Sequence, residues 1–302
     1  MAHVPAKVAP AHSHGSISPA TPAAKAIPKL IELSGGRLHG LSRRLCGNAA
    51  DAEDMLQDVY LQAFRKWHTF RGDSSPMTWL YAIAARACKV KRRRKGGVDR
   101  RTPALSQLMP WNESTVMEIA AKTDAAGVHA DRREAIERVQ REITMLPEHL
   151  RLPVILKDVL ELSVEDTASA LGLEHNTVKT RVHRARLALR KSMTAESRGV
   201  QAPMPIFEKQ VCLDLLKAKL QAMDRGGVSD GFRVPKADMC ERCSAVFREL
   251  DIVQNACEDL GGSTMPSTLK RRILAAIEAN ETARQPKTKK PRRGRRPGRG
   301  SK

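Results

Sequence analysis

The sequence of 302 residues has few aromatic residues and no long apolar segment. Phe, Trp and Tyr together make up 3% of the chain, and apolar residues recur mainly at helical spacing, which favours small helical units over one large core. No run of about 18 apolar residues occurs, and the N-terminus has too many prolines and histidines for the apolar centre of a signal peptide. We therefore expect a cytoplasmic protein that does not insert into a membrane.

Cysteine is sparse, and the signatures of common enzyme classes are missing. The six cysteines are irregularly spaced, which in a cytoplasmic protein argues against a disulfide framework. The sequence contains no phosphate-binding loop, nucleophile elbow, pair of catalytic carboxylates or histidine-rich metal triad. We therefore do not expect an enzyme.

Positive charge, by contrast, is abundant. The formal net charge is +20, and ten Lys or Arg residues fall between Arg284 and Lys302, where no acid occurs. A basic surface gains affinity for phosphates by releasing counterions, so the composition indicates a polyanionic partner, with nucleic acid the leading candidate. The basic tail is expected to be disordered and to hold nucleic acid nonspecifically, or to serve as a solubility or interaction tail.

Breaks in the helical periodicity divide the chain into three units. They predict an all-α fold with two small helical domains joined by a flexible linker, a small C-terminal helical domain and disordered tails. The expected segments are a disordered leader (1–28), a first domain (29–96), a linker (97–133), a second domain (134–193), a second linker (194–206), the C-terminal domain (207–280) and the basic tail (281–302).

Residues Leu162 to Met193 have the pattern of a DNA-binding helix-turn-helix. Ser163 and Asp166 form a capping-box-like start, and Gly172 can adopt the left-handed conformation of the turn. A second helix then begins near His175 or Asn176, with Val178, Val182, Ala185 and Leu189 on its buried face. The alternative is a helical hairpin with a solvated basic face.

Recognition helices contact DNA bases with their N-terminal residues. The candidate base and phosphate contacts are therefore Asn176, Thr177, Lys179, Thr180, Arg181 and Arg184. Arg186, Arg190 and Lys191 lie further along the helix and are expected to contact backbone phosphates.

The first domain contains an acidic helix followed by a basic one. DAEDMLQDVYLQAFRKW (51–67) has one apolar stripe, and Asn48 can cap the helix that carries it. FRGDSSPMTWLYAIAARACKVKRRRK (70–95) begins with a polar loop and ends in KVKRRRK, whose six cations in seven residues favour phosphate contacts. Trp79 is either a core residue or a stacking platform for bases.

The two blocks together resemble an extracytoplasmic-function (ECF) sigma factor of bacterial RNA polymerase. LPEHLRLPVILKDVLELSVEDTASALGLEHNTVKTRVHRARLAL (146–189) looks like the fourth conserved region of these proteins, whose recognition helix contacts the promoter −35 element. The acidic helix resembles the sigma helix that docks on the β′ subunit, and 70–95 resembles the segment that melts the −10 element. LuxR-type regulators end in a similar helix-turn-helix, so a stand-alone DNA-binding regulator is the alternative.

The resemblance implies three sets of site residues and their partners. The partners are core RNA polymerase, through β′ and β, and promoter DNA in double- and single-stranded form. The implied polymerase contacts are Asp51, Asp54, Gln57, Asp58 and Arg65. Those with the −10 element are Asp73, Ser74, Ser75, Trp79, Lys89, Arg92, Arg93 and Arg94, with the Arg71–Pro76 loop forming a pocket for a flipped base. The helix-turn-helix residues named above would contact the −35 element.

The C-terminal domain carries Cys212, Cys240 and Cys243, and a C-x2-C pair with a distant third cysteine is a candidate zinc site. The segment resembles a zinc-binding anti-sigma domain, although Lys236 stands at its histidine position. Zinc with Asp238 or water as the fourth ligand, a redox pair and a metal-free helical relic all stay open. Sigma function itself requires no cofactor. The resemblance implies a fused regulatory domain that could restrain the sigma domains in cis, and a separate anti-sigma factor is a candidate partner.

Overall fold

A computed structural model describes residues 17–46, 48–94, 103–117, 125–196, 199–225 and 239–284. Over these ranges the chain forms eleven α-helices and one pair of short strands, which confirms the predicted all-α class. The elements are α1 (Ala23–Cys46), α2 (Ala49–Lys66), α3 (Pro76–Arg94), α4 (Leu105–Leu108), β1 (Thr115–Met117), α5 (Ala125–Met145), α6 (Glu148–Val154), α7 (Val164–Leu171), α8 (His175–Glu196), β2 (Gly199–Gln201), α9 (Lys209–Asp224), α10 (Glu241–Leu260) and α11 (Ser267–Arg284).

Helices α1, α2 and α3 form the N-terminal domain around an apolar core. Asn48 caps α2 as predicted, because its side-chain oxygen accepts a hydrogen bond of 2.8 Å from the backbone N–H of Asp51. Leu56 and Tyr60 on the inner face of α2 are fully buried, and the Tyr60 hydroxyl lies 3.1 Å from that of Ser34 on α1. The apolar stripe predicted for α2 is therefore its core-facing side.

The first helix begins earlier than the sequence suggested. Helix α1 starts at Ala23 and includes Pro28, so the predicted disordered leader is wrong for residues 23–28. Pro28 lies in the second turn, where proline cannot donate the usual helical hydrogen bond, but the adjacent Ile27 is fully buried in the core and holds this part of α1 in the domain. The preceding residues also join the domain, since Trp67 Nε1 donates a hydrogen bond of 2.6 Å to the carbonyl of Thr21. Residues 1–16 lie outside the described part.

Helices α7 and α8 form the predicted helix-turn-helix. The Ser163 hydroxyl accepts a hydrogen bond of 2.9 Å from the backbone N–H of Asp166 and caps α7. Gly172 has φ 65° and ψ 45°, the left-handed conformation that ends α7. Four residues hold the two helices together in a small apolar cluster of their own: Val164, Ala168, Val178 and Val182.

The described parts of the first linker, residues 103–117 and 125–133, are ordered, which differs from the flexible linker expected; the second part is the start of α5. Leu108 is buried, and β1 pairs antiparallel with β2, which follows α8. The guanidinium group of Arg242 on α10 donates hydrogen bonds of 3.0 Å to the carbonyls of Pro110 and Trp111. Carbonyl groups of the linker backbone thus accept hydrogen bonds from a side chain of the C-terminal unit.

Helices α9, α10 and α11 form this C-terminal unit, which lies between the two sigma-like domains. Helix α10 packs against α5 and α8, while α11 packs against α1 and α2. One apolar core therefore runs through both domains and the C-terminal unit. Three further predicted boundaries shift, because α5 begins at Ala125 within the predicted first linker, α8 continues to Glu196 and α11 to Arg284; the remainder of the basic tail lies outside the described residues. None of the described helices has the length and apolar character needed to cross a membrane.

We expect Gly172→Ala to lower the free energy of unfolding by about 1 kcal/mol, because an L-residue pays for the left-handed conformation. An added Cβ would meet no atom within 4 Å, so steric contact would not contribute. Gly172→Asn should recover part of the loss, since Asn tolerates this conformation better. Urea unfolding of the three proteins measures this, and equal stability for all of them would contradict it.

Candidate nucleic-acid interface

The N-terminal part of α8 presents the predicted DNA contacts to solvent. Asn176, Lys179 and Thr180 are exposed, and Thr177, Arg181 and Arg184 are half-buried. The Thr180 hydroxyl donates to the carbonyl of Asn176 at 2.9 Å, which still leaves its lone pairs as acceptors. This face combines amide, hydroxyl and cationic groups, the chemistry that contacts base edges and phosphates in a major groove.

Arg186, one turn further along, does not belong to that face. Its side chain is completely buried and forms a two-pronged ion pair with Asp158, at 2.8 and 2.7 Å, and a third contact of 2.7 Å with Asp224 on α9. Burial alone would lower the pKa of Arg186, but Asp158 and Asp224 raise it above its ordinary value. The prediction that Arg186 contacts phosphate is wrong, because it is a core ion-pair residue.

Arg190 lies one further turn along and is also completely buried. It forms ion pairs of 2.8 Å with Glu249 on α10 and of 2.6 Å with Glu113 in the linker. Both carboxylates lie outside the helix-turn-helix, so the predicted phosphate contact is replaced by acidic groups from elsewhere in the chain. Exposed Lys191 donates to the carbonyl of Gln107 at 2.5 Å.

Helical geometry contains a partial signal for these two arginines. Arg186 follows the core residue Val182 by four positions, and Arg190 follows Arg186 by four, so both lie beside the buried face of α8. Their partners could not be inferred in the same way, because the contacts from Arg190 to Glu249 and Glu113 span 59 and 77 residues.

The loop before α3 is anchored to the helix-turn-helix. The Ser75 hydroxyl accepts a hydrogen bond of 3.0 Å from the backbone N–H of Thr78. The Thr78 hydroxyl in turn donates to a carboxylate oxygen of Asp166 on α7, at 2.9 Å. Asp73 is exposed, Ser74 is half-buried, and Gly72 adopts a positive φ of 86°. Asp73, at the tip of the predicted pocket, is therefore accessible to solvent, while Thr78, at the base of the loop, contacts α7 of the helix-turn-helix.

Trp79 has the geometry of a core residue in this arrangement. Its ring packs edge-on against Trp67 at 5.5 Å and tilted against Phe70 at 5.7 Å, distances typical of favourable aromatic pairs. Lys89 is exposed on α3. The backbone of Arg92, Arg93 and Arg94 continues α3 to its end, and their side chains lie outside the described part.

The predicted polymerase-binding helix, α2, carries part of the C-terminal unit on its outer face. The Arg65 guanidinium donates two hydrogen bonds, of 3.2 and 3.1 Å, to the side-chain oxygen of Asn280 on α11. Glu53, which was not predicted, pairs with Arg272 of α11 at 3.3 Å. Asp54 and Asp58 remain exposed, and Asp51 and Gln57 are half-buried. Helix α11 thus covers one side of this surface.

Cys212, Cys240 and Cys243 lie near one another. Among the described residues, no group of three or more His, Cys, Asp and Glu side chains could hold a metal ion. The thiol of Cys243 instead interacts with those of Cys240 and Cys212, and its burial and these neighbours raise its pKa. Burial would raise the pKa of Cys240, but backbone N–H groups, first that of Cys243, lower it. The zinc prediction is not supported; Lys236 and Asp238 lie outside the described residues.

Comparison with known proteins gives two family matches. The model of Sigma-70 region 2 matches residues 30–97, and that of Sigma-70 region 4 matches residues 136–189. These ranges contain α2 and α3 in the first case, and α7 with most of α8 in the second. The C-terminal unit begins beyond both matches.

Two sigma factors agree with these matches. The chain is 34% identical to the RNA polymerase sigma-H factor of Pseudomonas aeruginosa over 52% of this chain and 80% of that protein. It is 32% identical to the ECF RNA polymerase sigma factor SigM of Mycobacterium tuberculosis over 54% of this chain and 75% of that protein. A solved structure of the sigma factor RpoE with the anti-sigma factor NepR, from Bartonella quintana, matches with a TM-score of 0.38 and 24% identity, covering 56% of this chain and 96% of that one.

The resemblance inferred from the two sequence blocks is thereby confirmed for the sigma regions. The acidic helix and its following loop fall inside the first match, so the alternative of a stand-alone helix-turn-helix regulator is not favoured. The chain belongs to the extracytoplasmic-function family of RNA polymerase sigma factors.

Proposed function

We propose that this sigma factor directs bacterial RNA polymerase to promoters, and that its C-terminal unit holds it in a closed, inactive arrangement. The observation that carries the second part is the packing of α11 on α2, the helix expected to bind the polymerase. A partner that must approach α2 would meet Asn280 and Arg272 first. Catalysis in the resulting complex would belong to the polymerase, and a polymerase subunit of this kind would work in the cytoplasm.

The contact between the two sigma domains supports the need to open. The names of the −10 and −35 elements place them about 25 base pairs apart, which corresponds to about 85 Å along B-DNA at roughly 3.4 Å per base pair. In the closed arrangement, however, Thr78 lies 2.9 Å from Asp166. Thr78 belongs to the domain expected to contact the −10 element (the −10 domain, α1 to α3), and Asp166 belongs to the domain expected to contact the −35 element (the −35 domain, α5 to α8). A molecule with this contact could not place both domains on their elements, so promoter recognition would require the domains to separate.

The base-contacting tip of α8 stays accessible while the middle of the helix is held. Asp224 of α9 accepts hydrogen bonds from His183 and Arg186, at 2.8 and 2.7 Å. Glu249 of α10 pairs with Arg190. The C-terminal unit would therefore restrain the −35 domain through acidic groups on α9 and α10 and the −10 domain through α11, leaving the DNA-contacting residues Asn176, Lys179 and Thr180 free for use after opening.

The fused unit could replace a separate anti-sigma factor or act beside one. Its helices contact both sigma domains within one chain, which is the arrangement expected of a cis-acting inhibitor. Cys240 and Cys243 at the start of α10 and Cys212 on α9 form a group of neighbouring thiols that would respond to oxidation. Zinc is not needed for any of these roles.

Ile277→Asp should release α11 and raise the affinity for core polymerase roughly tenfold or more, because an unpaired carboxylate cannot remain buried in an apolar site without a large cost. Ile277 is 3% exposed on the helix that packs against α1 and α2. Ala279→Asp places the same charge on an exposed position of α11 and is the matched control. The measurements are core-polymerase binding and transcription from a promoter library.

Unchanged polymerase affinity in Ile277→Asp would count against inhibition by the C-terminal unit, provided that the variant remains folded. A failure of both the variant and the wild type to support any transcription would count against sigma activity itself.

Lys179→Gln should weaken promoter binding by the protein–polymerase complex and reduce the slope of log affinity against log salt by about 1, as expected for the loss of one phosphate contact. Lys217→Gln removes the same charge from an exposed position on α9 and should leave the slope unchanged. Binding titrations between about 50 and 200 mM salt measure the effect. An equal slope for Lys179→Gln and the wild type would remove Lys179 from the phosphate contacts.

Asp224→Asn should lower the free energy of unfolding by about 1 to 3 kcal/mol at neutral pH, because it leaves buried donors of His183 and Arg186 without a carboxylate. Burial would raise the pKa of Asp224, but the hydrogen bond from His183 and the charge of Arg186 lower it overall. A lowered pKa stabilises the folded state above the ordinary value of about 3.9, and this gain is lost as the pH falls below that value.

The difference between Asp224→Asn and the wild type should therefore shrink as the pH falls below about 4. Asp214→Asn changes an exposed carboxylate on the same helix and serves as the control. Urea unfolding between about pH 5 and pH 2 measures both, and a difference that does not shrink below about pH 4 would contradict the assignment.

A further inference from the structure

The turn between α10 and α11 (residues 261–266) contacts both sigma domains through its backbone. On one side it meets helix α1 of the −10 domain, at Gly36. A Cβ atom added to Gly36 would lie 2.1 Å from the carbonyl oxygen of Ser263, which is a severe steric clash. The turn and the helix therefore approach as closely as they do because residue 36 has no side chain.

Two further glycines widen the same face of α1. A Cβ on Gly40 would come within 2.5 Å of the Ser263 hydroxyl, and one on Gly35 within 2.7 Å of the terminal carbon of Met265. Both neighbours are ends of side chains, which can move more easily than a backbone carbonyl. Of these three glycines, Gly36 is thus the one at which a larger side chain would be tolerated least.

Donors on α1 recognise the carbonyl groups of the turn. His39 Nδ1 donates to the carbonyl of Thr264 at 3.0 Å. The guanidinium of Arg44 donates to the carbonyl of Leu260, the last residue of α10. Arg44 is 5% exposed, and burial lowers its pKa to about 10. The last carbonyl of α10 therefore meets a buried cation, an arrangement that helps to satisfy a helix C-terminus.

The opposite side of the turn meets the −35 domain. A Cβ on Gly261 would lie 2.5 Å from the carbonyl oxygen of Val159, in the segment between α6 and α7, whereas one on the adjacent Gly262 would have nothing nearer than 3.7 Å. Gly261 has an ordinary helical φ of −65°, so glycine is required here for space and not for backbone conformation.

A cleft of about 570 Å³ borders the turn and is lined by all three parts of the chain. Its walls include Arg37 of α1, Glu161 of the −35 domain and Lys270 of α11. The turn is therefore not tightly packed on the side of this cleft. Its close backbone contacts with the two sigma domains are those at Gly36 and Gly261.

We propose that the turn at 261–266 is a two-sided latch: its backbone fits between Gly36 of the −10 domain and Val159 of the −35 domain, and this fit keeps the two domains together. The glycine-lined face of α1 is the docking surface, and its occupant is this turn of the same chain. The latch deepens the proposed inhibition in cis and rests on it for its biological meaning, although the docking itself can be measured separately.

The adjacent glycines of the turn provide the test, since Gly261→Ala and Gly262→Ala make the same chemical change at neighbouring positions. Hydrogen exchange of the full-length protein is measured in α11 and in the turn. Gly261→Ala and Gly36→Ala should each speed exchange there by roughly tenfold to a hundredfold, the range expected of overpacking against a backbone atom. Gly262→Ala should leave exchange within about twofold of the wild type, as expected for an ordinary van der Waals contact.

Alanine is a better helix former than glycine, so Gly36→Ala should not weaken α1 itself. Continued protection of the α2 amides distinguishes release of the latch from unfolding of the −10 domain, and if α2 also opens in this variant, Gly261→Ala alone decides. Unchanged exchange in Gly261→Ala, or equal acceleration in Gly262→Ala, would overturn the latch. Faster exchange without a gain in polymerase affinity would keep the latch and overturn the proposed inhibition.

Discussion

The closed arrangement depends on carboxylates that meet two arginines of the recognition helix in the absence of water. Arg186 and Arg190 have no exposed side-chain surface, and a buried guanidinium that lost its partners would carry a severe desolvation cost. Asp158 supplies one partner from within the −35 domain, while Asp224, Glu249 and Glu113 supply the others from outside it. The C-terminal unit and the linker are therefore tied to α8, the helix proposed to contact DNA.

The same ion pairs also position the linker and the helices that follow. Glu249 accepts hydrogen bonds both from Arg190 and from the backbone N–H of Met117 in β1, so the carboxylate that balances the charge of Arg190 also holds the linker strand. Arg242, in the first turn of α10, holds the linker carbonyls from the other side. Once α10 is fixed in this way, the turn that follows it is directed at α1, and α11 is directed along α2.

Local features of this fold could be predicted from the sequence, and long-range ones could not. The helix caps at Asn48 and Ser163 and the left-handed conformation of Gly172 each depend on a few neighbouring residues, so all three could be predicted from the local sequence. Helical periodicity places Asn176 and Thr180 on the outer face of α8. It cannot decide the role of Arg190, because an arginine beside a buried face is either a solvated group or an ion-pair residue, and its partner Glu249 is 59 residues away in the sequence. The importance of Gly36 was also missed, since a glycine within a helix shows what it approaches only when the approaching turn is known.

Under the proposed inhibition, the short connection between α8, which ends at Glu196, and α9, which begins at Lys209, determines how activity depends on the amount of protein in the cell. An inhibitor joined by so few residues experiences its target at an effective concentration on the order of millimolar. Closing is then a unimolecular equilibrium, so the ratio of closed to open molecules is the same at ten copies per cell as at thousands. Increased synthesis would raise the closed and open pools in proportion and could not by itself change the fraction that is active.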